Sequence, residues 1–186
     1  GFGLLFYHLV AFRKKVIEDN LKIAFGSEKN SSELKSICRK NYQHYSQMLI
    51  EVLKSINWTK QDYLKNTTFS GRENIESLLE QKRGGVFLGT HLGNWEFAVA
   101  TAAANGIPVD VVVKESKNKE GQKFLTWYRD RFGIGVFFET KTVKEIFNSI
   151  NSGRFVVFIL DQFMGPPIGV TVPFLASIDL SAAGAY

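Results

Sequence analysis

The sequence predicts an α/β protein: a mostly parallel, three-layer sheet flanked by helices and preceded by an α-helical section. Three observations carry that prediction. From Gly84 onward, short apolar runs rich in Val and Phe alternate with segments of helical periodicity. The intervening helices are long enough to serve as crossovers between parallel strands. Before about residue 70 the apolar residues recur at helical spacing instead. One structural domain is expected, in two parts: a membrane-proximal helical section over 1–70, and an α/β core over 71–186 that is truncated at its C-terminal end.

Taken in order, Leu5, Leu9, Phe12 and Val16 recur at helical spacing, and the pattern ends near Gly26. Ser31-Ser32-Glu33 signals a second helix, with Leu34, Ile37, Cys38, Tyr45, Met48, Leu49 and Val52 read as one stripe. Helical character fades through Asn57-Trp58-Thr59, and a short helix covers Arg72 to Gln81. Val86-Phe87-Leu88 then reads as a buried strand. Trp95 to Ala104 is an almost wholly apolar helix closed by Asn105-Gly106, and Val109 to Val113 is a second strand. The next helix runs from about Lys119 to Phe132, with Phe124, Trp127, Tyr128 and Phe132 inward. After Gly135 come the strand Val136-Phe137-Phe138 and a helix carrying Val143, Ile146, Phe147 and Ile150 at i, i+3, i+4 and i+7. Gly153 ends that helix, and Phe155 to Leu160 is the most strand-like run of all.

Composition supports a globular chain, with 186 residues, 45% hydrophobic and 13% aromatic. The single cysteine, Cys38, cannot make an internal disulfide, so a reducing compartment is expected. The net charge of +5 is uneven: residues 1–40 carry Arg13, Lys14, Lys15, Lys22, Lys29, Lys35, Arg39 and Lys40 against Glu18, Asp19, Glu28 and Glu33. Such a basic helical region suits an anionic membrane surface or an acidic partner protein; a solvated helix face is the plain alternative. No zinc-finger spacing, RNP motif or homeodomain pattern points to nucleic acid. The apolar opening Gly1 to Phe12 is shorter than the roughly 20 residues a membrane span needs, and is expected to be the tail of one. The finish at Ala182-Ala183-Gly184-Ala185-Tyr186 reads as a fragment of a longer protein.

The most informative segment is His91-Leu92-Gly93-Asn94-Trp95-Glu96, between a strand and a helix. On one continuous helix His91 and Glu96 would lie roughly 140° apart around the axis and could not face each other. A functional pair therefore requires a break, and Gly93-Asn94 supplies it: glycine relaxes the backbone and asparagine is a favoured N-cap. Glu96 then falls in the first turn, where a carboxylate suits the helix dipole. An ordinary histidine is mostly neutral at pH 7 and can take a proton from an alcohol, with a carboxylate fixing its tautomer.

A metal site would need three or four ligands, and His8 and His44 lie far away on the N-terminal helices with no Cys/His cluster. Gly-x-Ser-x-Gly, P-loop and Gly-x-Gly-x-x-Gly motifs are absent, which argues against a serine hydrolase, a P-loop nucleotidase or a dinucleotide oxidoreductase. Arg129 and Arg131 sit in the last turns of a helix; they suit a phosphate or carboxylate, although cations are favoured there in any case. Asp161-Gln162 follows the last strand. In an open parallel sheet reactive groups collect beyond the carboxyl ends of strands, so His91 and Asp161 are expected on the same edge.

In this order the residues resemble the bacterial lipid A biosynthesis acyltransferases, the lauroyl and myristoyl transferase family within the lysophospholipid acyltransferase-like fold. Arg13 to Phe25, with Asn20-Leu21 and Ala24-Phe25, is similar to a segment that follows the family's membrane anchor. His91 to Glu96 matches its His-x4-Asp/Glu motif, including the Gly-Asn-Trp interior. Arg129-Asp130-Arg131-Phe132-Gly133 resembles its Arg-x-Arg segment, Asp161-Gln162 its strand-end Asp-Gln, and Val172-Pro173-Phe174-Leu175 its Val-Pro-Phe-Phe-Gly, with Ala176 where Gly is usual.

The resemblance implies an O-acyltransferase that moves a fatty acyl chain from an acyl carrier protein or coenzyme A thioester to a hydroxyl of a glycolipid, a lipid A precursor. It implies a catalytic His91–Glu96 dyad, with Asn94, Arg129, Arg131, Asp161 and Gln162 in substrate binding. It implies no metal, no cofactor beyond the thioester co-substrate, and a place on the cytoplasmic face of the bacterial inner membrane. The same fold also suits transfer to a phosphatidylinositol mannoside or a lysophospholipid, or a non-catalytic lipid-binding protein.

Overall fold

The structure, a computed structural model, describes residues 13–139, 143–162, 169–174 and 177–181. The helical repeat at Leu5, Leu9 and Phe12, and the positions Leu175 and Ala176, lie outside the described residues. The chain forms two compact units, one built on the chain up to Ser55 and on residues after Asp161, the other on Ile56–Asp161. The expected division at residue 70 falls inside the second unit.

In the first unit, α1 (Lys14–Phe25) ends at Gly26, as the sequence indicates. The second helix, α2 (Ser31–Lys54), is capped one residue earlier than expected: the Asn30 side chain accepts from the Ser32 and Glu33 N–H groups, and Glu33 reaches back to the Asn30 N–H at 2.8 Å. This is a capping box, which satisfies donors that the helix itself cannot. Cys38 and Tyr42 of α2 are buried with Ile17 and Leu21 packed on them. Tyr45 and Leu49 are exposed, so the expected stripe is corrected to one through Cys38, Tyr42, Met48 and Val52. Burial pushes the Cys38 thiol pKa up, Glu18 adds to the rise and Lys14 opposes it, which keeps the thiol in its unreactive form. In the same unit β5 (Val170–Phe174) pairs antiparallel with β6 (Ser177–Ser181), a ladder the sequence reading did not anticipate.

The second unit begins within a 3-10 turn, Ser55–Asn57, and continues into a helix that the fading periodicity concealed, α3 (Lys60–Asn66). Its signal is local: Thr59 and Asp62 form a capping box. The short helix expected over Arg72 to Gln81 is split at Ile75 into a 3-10 turn, Arg72–Asn74, and α4 (Glu76–Glu80). The core follows as β1 (Gly85–Gly89), α5 (Trp95–Ala104), β2 (Val109–Val113), α6 (Lys119–Asp130), β3 (Gly135–Phe138), α7 (Val143–Asn151) and β4 (Phe155–Ile159).

All pairings in the four-stranded sheet are parallel, in the order β1-β4-β2-β3. Chain order moves β1 to β2 to β3 in one direction and then back to β4, so right-handed crossovers place α5 and α6 on one face and α7 on the other. Ser149 of α7 accordingly reaches Asp110 of β2. The strand Val86-Phe87-Leu88 is not buried as expected: β1 lies at the sheet edge, and Val86 and Leu88 are exposed. On α7 the expected stripe is also shifted, because Val143 and Phe147 are exposed while Ser149 is buried. Tyr128 of α6 and Phe132, in the turn beyond the helix end at Asp130, are buried as expected, whereas Trp127 is half exposed.

Rings tie α3 to α5 and α6. Buried Tyr63 meets Trp58, Phe97 and Phe132 edge-on at 5.1, 5.3 and 5.1 Å, and its hydroxyl bonds that of Tyr128. Such edge-to-face pairs each contribute about 0.5–1.5 kcal/mol beyond area burial.

The amino ends of the strands are locked by Asp110, which is 3% exposed. Its carboxylate accepts from Arg154 Nε at 2.9 Å to both oxygens, from Ser149 Oγ at 2.5 Å and from the Gly135 N–H at 2.9 Å. The Arg154 fork also reaches the Val109 and Gly133 carbonyls, so β2, β3, α7 and β4 meet on one charge. Gly135 has to be glycine, since a Cβ there would collide with the Asp110 carboxylate. Burial alone would raise the Asp110 pKa, but the bonds from Arg154 and Ser149, the Arg154 charge and the Gly135 N–H outweigh it and hold the pKa below its ordinary value.

A depressed carboxylate pKa stabilises the fold above the ordinary value near 4, and that contribution is lost as the pH falls through the folded-state value. Arg154→Met should therefore cost about 3 kcal/mol at pH 7 in urea unfolding, the low end for a broken buried pair because Ser149 and Gly135 still hold the carboxylate. The difference from wild type should shrink below about pH 4, as Asp110 takes up its proton.

Candidate active site

Two neighbouring parallel strands set the site. Gly89 of β1 pairs with Ile159 of β4, and the Leu160 N–H donates to the Gly89 carbonyl at 3.3 Å. His91 and Asp161 each lie two residues beyond that last pair, so both leave the carboxyl edge of the sheet side by side. The Asp161 carboxylate holds His91 twice: Oδ1 is 2.6 Å from the ring Nδ1, and Oδ2 accepts the His91 backbone N–H at 2.7 Å. A carboxylate only accepts, so in the neutral ring the proton belongs on Nδ1 and the basic lone pair on Nε2. The Trp95 ring meets the imidazole edge-on at 4.8 Å. The His91 and Asp161 side chains keep 24% and 33% of their surface exposed.

The break that separates His91 from the helix is where the sequence puts it. Gly93 has φ +66°, the left-handed region that glycine enters without strain. Asn94 is extended and its side-chain oxygen accepts the Phe97 N–H at 3.3 Å, which makes it the N-cap of α5. Glu96 follows in the first turn and is buried.

Both Glu96 oxygens are engaged by Arg129 of α6, with Nε at 3.0 Å and a terminal nitrogen at 2.5 Å. The fork is bidentate, and the two side chains are only 11% and 10% exposed. Arg131 goes elsewhere: its guanidinium donates to the Ile56 and Trp58 carbonyls, the latter at 3.1 Å, and stacks over Trp127 and Phe132 at 5.2 and 5.7 Å. Gln162 follows Asp161 as an exposed residue.

Of the residues singled out in the sequence, the structure thus joins His91 to Asp161 and Glu96 to Arg129, uses Asn94 as a cap, and places Arg131 on the turn before α3. The partner of each group was not legible. Local sequence puts His91 and Asp161 on one edge, but only the β1–β4 register makes them adjacent. Among the described residues no group of three or more His, Cys, Asp or Glu side chains is arranged to hold a metal ion. No helix among them is long and apolar enough to cross a membrane.

Comparison with known proteins gives two findings. The sequence profile described as bacterial lipid A biosynthesis acyltransferase matches residues 1–185. The chain is also 25% identical, over 176 residues, to the lipid A biosynthesis lauroyltransferase of Escherichia coli (strain K12). That match covers 95% of this chain and 56% of the relative, so the chain spans little more than half its length.

A buried ion pair broken from one side leaves an uncompensated charge. Arg129→Met should therefore lower unfolding stability by roughly 3–5 kcal/mol, measured in urea, and adding Glu96→Gln to it should recover much of the loss.

Proposed function

The chain belongs to the bacterial lipid A biosynthesis acyltransferase family, and from that premise we propose that it transfers a fatty acyl chain from an acyl carrier protein or coenzyme A thioester to a hydroxyl of a glycolipid, a lipid A precursor. The observation that carries this reading is the imidazole at the carboxyl edge of the sheet, held at Nδ1 by a carboxylate and partly exposed. That is the arrangement a general base needs.

On this reading Nε2 of His91 removes the acceptor hydroxyl proton as that oxygen attacks the thioester carbonyl. A C–O bond forms, the tetrahedral oxyanion collapses, the C–S bond breaks, and the imidazolium returns the proton to the leaving thiolate. No covalent acyl-enzyme is required. The N-terminal end of α5 contributes positive potential near the oxyanion. Glu96, the second member of the His-x4-Glu motif, belongs on this reading to the catalytic machinery with His91, and the Arg129 fork holds both of its oxygens in place. The basic residues of α1 and α2 suit anionic headgroups or an acidic carrier protein, which supports a site of action at the cytoplasmic face of the bacterial inner membrane.

The test is acyl transfer by the full-length protein in lipid vesicles, with carrier-protein and coenzyme A donors and with lipid A precursor, phosphatidylinositol mannoside and lysophospholipid acceptors, read by mass spectrometry. Transfer to the lipid A precursor is expected. His91→Ala should lower it by about 10²–10⁴-fold with an unchanged thermal melt; wild-type rates in that variant would overturn the mechanism.

A further inference from the structure

We infer that Lys114 is a phosphate-binding cation of the active site, taking a phosphate of the thioester donor or of a phosphorylated glycolipid acceptor. The inference rests on the acyl-transfer reading and adds to it a binding residue outside the His-x4-Glu motif.

The first observation is one of place. Val111 of β2 pairs with Val157 of β4, and β4 pairs in turn with β1, so the three strands run to one edge. Continued for two residues at that register, Val113 is level with Ile159 and Gly89. Lys114 comes next, as Leu160 follows Ile159 and Thr90 follows Gly89. It therefore leaves the edge that carries His91 and Asp161, at two strand spacings from β1, about 10 Å.

The second observation concerns which cations are free to bind. A bound phosphate calls for a cationic donor, and both members of the Arg-x-Arg segment are committed elsewhere. The Arg129 fork closes on Glu96, and Arg131 donates to the Ile56 and Trp58 carbonyls. Lys119 and Lys123 of α6 are paired with Glu115 and Glu120 at 2.5 and 2.9 Å. Lys114 differs: its side chain is 75% exposed, and its ammonium stands 3.9 Å from Glu139, beyond hydrogen-bond length. So loose and solvated a pair contributes little and yields to an incoming anion.

The third observation is that the segment after Lys114 is braced. The Ser116 N–H donates to Gln122 Oε1 at 2.8 Å, the Asn118 N–H to Ser116 Oγ at 3.1 Å, and the Gly121 N–H to Asn118 Oδ1 at 3.0 Å. Lys114 thus stands between the end of a paired strand and a loop tied to the start of α6, with Lys117 three residues further along that loop.

The offset from His91 suits the chemistry. In a phosphopantetheine thioester the phosphate lies many bonds from the reacting carbonyl, and a sugar phosphate is likewise remote from the hydroxyl that reacts. A cation at that offset anchors the substrate without touching the reacting atoms. Its contact is the same in the ground state and the transition state, so its loss appears in KM and not in kcat.

The experiment uses the full-length protein in micelles of a non-ionic detergent with two matched pairs of substrates. The donors are acyl-phosphopantetheine and acyl-pantetheine; the acceptors are the lipid A precursor and the same glycolipid stripped of its phosphates. Lys114→Ala should raise KM about tenfold for the phosphorylated member of one pair, with KM for its phosphate-free partner and kcat changed by no more than about twofold. The pair that responds identifies the source of the phosphate. Lys114→Arg should keep most of the wild-type KM, and Lys123→Ala, which removes a cation already paired on the same helix, should leave it unchanged. Wild-type KM for every substrate in Lys114→Ala, or an equal rise with and without phosphate, overturns the proposal. Equilibrium binding of the same four ligands gives a readout without turnover. A Kd raised about tenfold in Lys114→Ala for a phosphorylated ligand alone sustains the assignment even where wild type transfers no acyl chain, and then the acyl-transfer reading fails instead. Lys114 is exposed, so its variants are expected to fold, which a thermal melt checks.

Discussion

The parallel pairing of β1 with β4 is the constraint on which the site depends. The two strands are separated in sequence by the whole α5-to-α7 section, and His91 and Asp161 stand 70 positions apart. In a parallel pair the register fixes which residues travel together past the ends of the strands. Gly89 opposite Ile159 means that equal overshoot on each side delivers an imidazole and a carboxylate to one place. A shift of one residue would turn every side chain to the other face of the sheet and separate them.

Two arginine–carboxylate pairs brace the elements of this α/β core. Asp110 with Arg154 fastens the amino ends of β2, β3 and β4, and Glu96 with Arg129 ties the start of α5 to the last turn of α6. Each carboxylate is nearly excluded from water, so each is costly to leave unpaired, and the guanidinium fork matches it in geometry as well as charge. The pairs differ in consequence. Asp110 collects further donors from Ser149 and Gly135 and behaves as a structural knot, whereas the Glu96 pair sits in the first turn of α5 and joins that turn to α6.

Legibility followed the range of the signal. Trp95–Ala104 and Val109–Val113 are found where periodicity places them, because a continuous apolar helix bounded by Asn94 and Asn105-Gly106, and a run of valines, specify themselves locally. Lys60–Asn66 escaped because seven residues offer barely two turns of periodicity, and only its Thr59–Asp62 cap betrays it. Val86 and Leu88 read as core because an apolar strand at a sheet edge has the same local sequence as one in the middle. Ser149 went unnoticed for the opposite reason: a small polar residue is buried there to complete the shell of a distant aspartate.

By itself the sequence determined the α/β alternation, the helix break at Gly93-Asn94 that frees His91 from the axis of α5, and the placement of His91 and Asp161 beyond the ends of strands. These follow from side-chain size, backbone freedom and capping, which act over a few residues. Only the tertiary structure decided which carboxylate meets the imidazole and which meets a guanidinium. Hydrogen bonds of that kind depend on strand order, register and the approach of α6 to α5, and those are set by packing between segments far apart in the chain.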